Sequence, residues 1–498
     1  MKGGDYSNQV FKQLQEVMKK CDDLSHEVKT IEKKTEKKFR KQLKEQKEYF
    51  TQKIEVLEKE NKELKIENKK LRDDNDRLKK IINNDSNNSS KPPSSDIKKN
   101  IPNNRDKTNK KVGGQKGHKA HFLNKKQIEE KIKNKEFKHE IVNKGKIQKE
   151  CISKYILDLE INVIAREYRF YKGGDGKYNI PKEFKTDVQY GSELKTLCTI
   201  LNTEGIVALD RLTNFVSCIT HGGINLSKGS IVNFTKELNQ KSEYLIKEIE
   251  EDLLNSEMMH TDATTGRCEN RNICVRTYST ERTTLLIPTY GKGKKYIEET
   301  NILNRYTGNL VHDHETVMYN YGDKHIECNV HISRYLRGCY ENTKNKWALK
   351  MRSFLCSLNE YRKKLKAKGV EKIEREKLEI YGKRYDELLE EGYEENKRVK
   401  GKFLRQEEQR LLNRLKKYKE NHIMFLYDFS VPFDNNLAER DLRHVKSKQK
   451  ISGHFNSMEG IKIYLNIKSI IGTLKKRGQN FYNKIFKIYE NIPVSIYS

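Results

Sequence analysis

A heptad repeat near the amino end constrains this chain more than any other feature of its sequence. Ile54, Leu57, Asn61, Leu64, Asn68, Leu71, Asn75, Leu78 and Ile82 alternate steps of three and four, with Leu at every d position from 57 to 78. That period commits the segment to a helix with one apolar seam, and such a seam needs another helix laid against it. Asn61, Asn68 and Asn75 fall at a, where a buried amide costs stability but pairs with its own copy in register. The expected assembly is a parallel homodimer or higher oligomer through a coiled coil (leucine zipper) over residues 1–84. An earlier run, Val10, Leu14, Val17, Cys21, Leu24, Val28 and Ile31, keeps the spacing in a different phase, so a stutter is expected between the two.

The helix has to stop in the turn-rich stretch from Asn83 to Asp96, which contains the pair Pro92-Pro93. Residues 85–126 read as a Ser/Pro linker followed by a basic arm, with Lys98, Lys99, Arg105, Lys110, Lys111 and Lys116 as candidate nucleic-acid contacts. Such an arm suits sequence-independent phosphate binding; the plainer reading is a spacer. Across 498 residues, 101 Lys and Arg face 71 Asp and Glu, a formal net charge of +30 that points to a polyanion, double-stranded DNA first. The nine cysteines are scattered singly, which indicates neither a disulfide framework nor a Cys-rich zinc site. With no apolar run near the ~20 residues of a membrane span and no secretion-signal pattern, no membrane is expected as partner, and the expected location is cytoplasmic and nucleoid-associated.

Residues 127–190 read as a small β-rich region, clearest in the alternation from Tyr155 to Ala165. Residues 191–256 read as helical: a segment around Leu212 to Ile219, a break at His221 to Asn225, then Ser227 capping a long helix to Leu254. That is either a helix-turn-helix for DNA or a plain helical hairpin. In 257–344, Met258 to Asp262 is a short strand ending on an aspartate, Asn272 to Thr280 and Thr283 to Tyr290 continue a meander, and Asn309 to Asp313 closes on a second aspartate. Ile326 to Ile332 is strand-like and precedes a helix. Three strands followed by a strand and a helix, with acids at two strand ends, is the layout of an α/β ribonuclease H-like core. Residues 345–424, rich in Lys, Glu, Arg and Leu without proline, read as a helical insertion into that core.

Residues 425–498 supply the rest of the core and a final helix over about Ile461 to Lys475. Asp434 caps a helix starting near Asn435, and Ala438, Leu442 and Val445 form its packing stripe. Glu439 lies at the edge of the stripe with Arg443 and Lys446, further candidate DNA contacts, beside it. The plain alternative is an amphipathic helix with a Glu439 to Arg443 pair worth a few tenths of a kcal/mol. If the sheet draws Asp262, Asp313 and Glu439 together, they could hold two Mg2+ ions ~4 Å apart, with Mn2+ as a substitute, for in-line displacement at a phosphodiester. Glu315, Asp323 and Asp434 are the nearest competitors for a place there. Lone His312, His314, His325 and His331 read as core or supporting residues rather than ligands.

At these residues the chain resembles transposases of the insertion sequence 66 family, of the Asp-Asp-Glu type. The matching stretches are Lys91-Pro92-Pro93-Ser94-Ser95-Asp96, Gly113-Gly114-Gln115-Lys116-Gly117-His118, His260-Thr261-Asp262-Ala263-Thr264, Leu310-Val311-His312-Asp313, Cys328-Asn329-Val330-His331 and Asp434-Asn435-Asn436-Leu437-Ala438-Glu439-Arg440. The resemblance implies binding to terminal inverted repeats and metal-dependent cleavage and strand transfer joining element ends to target DNA, with the catalytic and metal-binding roles on Asp262, Asp313 and Glu439. Two positions depart from the pattern. Only Cys151 lies between residues 100 and 190, where members carry paired cysteines, so the zinc-binding module is expected to be degenerate and zinc is not expected as a cofactor. Ala263 replaces a common Glu, but neighbouring strand residues face opposite ways, so this leaves the ligand set alone. The alternative function is a catalytically decayed DNA-binding protein derived from such a transposase.

Overall fold

The computed structural model describes residues 5–89, 123–143 and 152–497. Lys98, Lys99, Arg105, Lys110, Lys111, Lys116 and Cys151 lie outside them. The heptad segment belongs to one helix, α1 (Asp5–Asn83), which runs without a break through the expected stutter. Its seam is bare within one chain: Leu57, Leu64, Leu71 and Leu78 are all more than half exposed. Near its carboxyl end α1 touches the body of the protein, where Lys80 pairs with Glu407 and the Asn88 side chain donates to Glu341 Oε2 at 2.5 Å.

A capping box between Asn124 and Gln127 opens the short helix α2 (Lys125–Lys133). The strands expected in 127–190 do not form among the described residues of that region, where the isolated bridge Lys172 to Tyr178 is the one pairing. Alternation makes a strand only when something covers one face. Here Ile156 and Leu159 are 92% and 80% exposed, so that condition is unmet.

Four helices follow: α3 (Ser192–Thr203), α4 (Leu209–Ile219), α5 (Lys228–Lys241) and α6 (Glu243–Leu254). Ser227 caps α5 as its sequence suggests, accepting from the Ser230 amide at 3.0 Å. The expected long helix is split at buried Ser242, whose hydroxyl donates to the Leu238 carbonyl at 2.7 Å.

The central sheet is mixed and five-stranded, in the order β3-β2-β1-β4-β5. β1 (Met258–Cys268), β2 (Arg271–Ser279) and β3 (Thr284–Thr289) form an antiparallel meander; helix α7 (Lys294–Thr300) then leads to β4 (Asn309–His312) and β5 (His325–Glu327), which run parallel to β1. Two strand readings need correction. β1 runs on past Asp262 to Cys268, because β2 pairs with it along this whole length, Asp262 opposite Thr277. The run Ile326 to Ile332 switches from strand to helix at Cys328, since a short apolar run fits either state and the parallel ladder ends at Glu327.

Helices α8 (Asn329–Thr343), α9 (Lys346–Lys366), α10 (Arg375–Lys397), α11 (Lys402–Lys417) and α12 (Lys419–Tyr427) bury one core with β4 and β5, built around Trp347, Met351, Leu355, Tyr385, Leu412 and Phe425. On the other side α13 (Asn436–Ser452), α14 (Met458–Lys476) and α15 (Phe481–Tyr489) close the chain. Residues of α14 and α15 share a core with α5, α6 and β1–β4. The region before the sheet and the end of the chain are therefore one packed body. No helix among the described residues is long and apolar enough to cross a membrane.

Candidate active site

Three segments distant in sequence meet where β1 outlasts its neighbour. The β1–β4 ladder ends at the pair His260 and Val311, so Asp262 stands just past the last rung and Asp313 one residue beyond the end of β4. Side chains on a strand alternate between faces, which puts Asp262 on the face shared by His260 and Cys268. Against this face α13 packs through Leu442 and Val445, which join Cys268, Ile273, Val275 and Leu286 in a small core. Burying Leu442 contributes about 2 kcal/mol and brings Glu439, one turn earlier, over β1.

The start of α13 is fixed by polar contacts as well. Asp434 Oδ1 accepts from the Asn436 amide at 3.0 Å in a tight side-chain turn, but the cap position falls one residue later than expected, on Asn435, whose side chain makes no capping bond because it is committed to β1. Asn435, fully buried, ties the three segments together. Its amide side chain donates to the Thr261 carbonyl at 2.9 Å and lies 3.0 Å from His260 Nδ1, while its backbone N–H donates to Cys328 Sγ at 3.2 Å. The motif Asp434-Asn435-Asn436 marks this residue in the sequence, but its positioning role was not legible there.

His331, on the first turn of α8, stands between two of the acids. Its Nδ1 lies 3.0 Å from Asp313 Oδ1 and its Nε2 3.7 Å from Glu439 Oε1. The first contact is close without hydrogen-bond alignment, and Asp313 Oδ1, His331 Nδ1 and Glu439 Oε1 are all buried with no hydrogen-bond partner among the described residues. Three buried polar atoms left without partners on and around one imidazole are costly unless a ligand satisfies them. One donor atom from each of Asp313, Cys328 and His331 lies within 4.8 Å of the others, as a cation would require. His331, set aside on sequence grounds as a lone histidine, belongs to this centre, and the Cys328-x-x-His331 spacing was the signal that could have found it.

The electrostatics agree with the geometry. Asp262 is pushed up to about 7, first by burial and then by the neighbouring charge of Asp313, with Glu439 adding to it and the Ala263 amide and His331 opposing. Burial alone would lower His331, but Asp313 and Cys328 beside it push it up to about 11. Arg334 Nη1, 3.3 Å from His331 Nε2, requires that nitrogen to accept, which an imidazolium cannot. The contact geometry favours the neutral ring there, and both views place His331 among concentrated negative charge. Acids crowded in this way are stabilised by a bound cation.

Cations ring the opening. Lys292 donates to the Ala263 carbonyl at 3.2 Å and Lys446 donates to the Thr265 carbonyl, both on β1 and both exposed. Arg443 is exposed on α13, and among the described residues no ion pair joins it to Glu439. The competitor acids are occupied elsewhere: Glu315 makes a two-pronged pair with Arg276 at 2.8 and 3.0 Å, and Asp434 accepts from the Asn436 amide. Asp323 contributes only a backbone contact among those resolved, its amide donating to the Gly308 carbonyl.

No curated protein matches the chain. Residues 27–124 match the model of a family of unknown function (DUF6444). Residues 188–463, which hold the sheet, α8–α13 and every residue of the site, match the model of the Transposase IS66 family. That match covers more than half of the 498 residues, and the chain belongs to the Transposase IS66 family.

Proposed function

We propose that the protein is a DNA transposase that cuts at terminal inverted repeats and transfers the cut strand to target DNA, with Asp262, Asp313 and Glu439 as its acidic triad. The observation that supports this reading is the convergence of β1, the end of β4 and the start of α13, with a buried unpartnered oxygen on each of Asp313 and Glu439 close to His331, and Asp262 raised by the charge of both acids. The strand order β3-β2-β1-β4-β5, three strands antiparallel and two parallel, supports a ribonuclease H-like core, with 345–424 as an insertion carried on its β4–β5 edge. The bare heptad seam of α1 supports dimerisation through a parallel coiled coil.

Asp262, Asp313 and Glu439 fit divalent cations by donor chemistry, and Asp313 and Glu439 also by a buried unpartnered oxygen each; they are the residues that would hold Mg2+ or Mn2+. When bound, such ions would activate a water or a DNA 3′-hydroxyl as nucleophile and offset the charge on the leaving oxygen at phosphorus. The chain's own residues do the rest. Asn435 and the core beneath Leu442 fix the position of Glu439 relative to β1. His331 sits against Asp313 and Glu439 and separates the two carboxylates. Lys292, Lys446 and Arg443 offer a positive rim for the DNA backbone, and this rim carries no sequence information.

The test is a Mg2+-dependent cleavage and strand-transfer assay on inverted-repeat ends with Asp262→Asn, Asp313→Asn and Glu439→Gln. Each change should lower the rate by on the order of a thousandfold, ~4 kcal/mol in the barrier. Activity that survives all three would overturn the assignment. A wild-type protein that binds the ends without cutting them would identify the decayed DNA-binding alternative.

A further inference from the structure

We propose that Cys328 and His331 are ligands, with Asp313, of one cation of this centre, making that position a mixed oxygen, nitrogen and sulfur site for a thiophilic divalent metal of the Zn2+ or Co2+ class. The proposal rests on the reading of Asp262, Asp313 and Glu439 as a single centre, and it assigns the second position, on Asp262 and Glu439, to an oxygen-preferring ion.

The donors are already gathered. One atom from each of Asp313, Cys328 and His331 lies within 4.8 Å of the other two, and Asp313 Oδ1 to His331 Nδ1 is 3.0 Å. Ligands held ~2.0–2.3 Å from one tetrahedral ion stand roughly 3 to 4 Å apart, so a small closure completes the set. Cys328 and His331 are 1% and 6% exposed, and sulfur and imidazole are poor partners for Mg2+ but good ones for Zn2+ and Co2+. The sulfur is oriented: Cys328 stands immediately before α8, and its Sγ accepts the Asn435 backbone amide at 3.2 Å. On binding it acts as thiolate, and its proton passes to solvent. With the ion on Nδ1, the ring proton of His331 sits on Nε2, facing Glu439 Oε1 at 3.7 Å, while Arg334 turns away from that nitrogen. A carboxylate behind a ligating imidazole fixes its ring and tautomer. The arrangement explains why Asp313 Oδ1, His331 Nδ1 and Glu439 Oε1 are left without hydrogen bonds.

The experiment titrates the full-length protein with Co2+ alone, without DNA, and reads absorption. A sulfur-to-cobalt charge-transfer band in the near ultraviolet, displaced by added Zn2+, is expected. Cys328→Ser should abolish the band, and His331→Gln, which keeps the sulfur, should shift it and weaken affinity at least about tenfold, with circular dichroism checking that each variant is folded. Glu439→Gln should keep the band. Absence of a band in the wild type, or a band that survives Cys328→Ser, overturns the proposal. If the band is absent while cleavage still requires all three carboxylates, the sulfur ligand fails and the functional reading stands. If the band depends on Cys328 while cleavage survives loss of the triad, the metal site stands and the functional reading fails.

Discussion

Glu327 and Asp313 come from adjacent strands, His312 lying opposite Glu327 in the ladder, yet their surroundings are opposite in kind. Glu327 is fully buried and saturated. It accepts from Arg414 Nε at 3.1 Å, lies 2.7 Å from His314 Nδ1 and 3.2 Å from His422 Nε2, and takes the Tyr319 hydroxyl as well. Burial would raise its pKa, but these donors hold it far below the ordinary carboxylate range. Around Asp313 the acids outnumber their donors, buried oxygens are left over, and Asp262 is driven the other way, to about 7. A saturated acid locks elements together, here β5 to α11 and α12. An undersaturated group of acids stores unfavourable energy that a ligand can release.

The two centres touch through one residue. His314 follows Asp313 with a left-handed backbone, φ +53°, a conformation that costs on the order of 1 kcal/mol outside glycine. Its ring is held by Glu327, so the saturated centre fixes the turn from which Asp313 projects.

The contrast is broken most sharply by isosteric changes at the two acids. Asp313→Asn should remove nearly all strand cleavage while leaving the thermal midpoint unchanged or higher, because it relieves like-charge crowding. Glu327→Gln should do the reverse, destabilising the fold by about 3 kcal/mol as Arg414 loses its buried partner, with activity falling only as far as the fold loosens. Equal stability losses at the two sites, read by urea unfolding, would erase the distinction. Asn435→Ala comes next. It removes two buried hydrogen bonds and should cost about 2 kcal/mol, together with a loss of cleavage as Glu439 drifts from β1. Retained full activity would show that Asn435 does not position the site.

Glu204 extends the saturated class to the surface of α14. Burial would raise its pKa, but Lys468 and Lys475 hold it at about 2 against an ordinary 4.5. A depressed acid stabilises above its unfolded pKa, and that stability is lost as pH falls from about 4.5 toward 2. Glu204→Gln should therefore be less stable than wild type at neutral pH by about 1–2 kcal/mol, with the gap closing through that acid window. A gap that stays constant with pH would sink this account. The smallest effect is expected at the rim, where Lys292→Ala or Lys446→Ala should reduce the slope of log Kd for DNA against log salt by about one.

Much of this was legible in the residues, for reasons that differ by site. Ser227 as a cap and the stripe Ala438, Leu442 and Val445 are local matters of spacing and hydrogen bonding, and the sequence carries them directly, whereas the cap expected at Asp434 moved to Asn435 because Asn435 is drawn onto β1. The extent of β1 was not legible, because the strand lasts as long as β2 accompanies it, a property of the partner. Tyr155 to Ala165 alternates, but among the described residues nothing covers either face of it. His331 read only as a core or supporting residue and Asn435 only as part of a motif, because a single histidine or asparagine acquires a specific role only from what the fold brings beside it.

The central claim, that Asp262, Asp313 and Glu439 line one cation-binding centre, is tested most directly by loading the protein with Fe2+ and mapping hydroxyl-radical cuts in its own backbone. The account predicts cuts grouped at three places, around residues 262, 313 and 439, all lost together when excess Mg2+ or Mn2+ competes. Cuts confined to one of these segments, or found elsewhere in the chain, would contradict it.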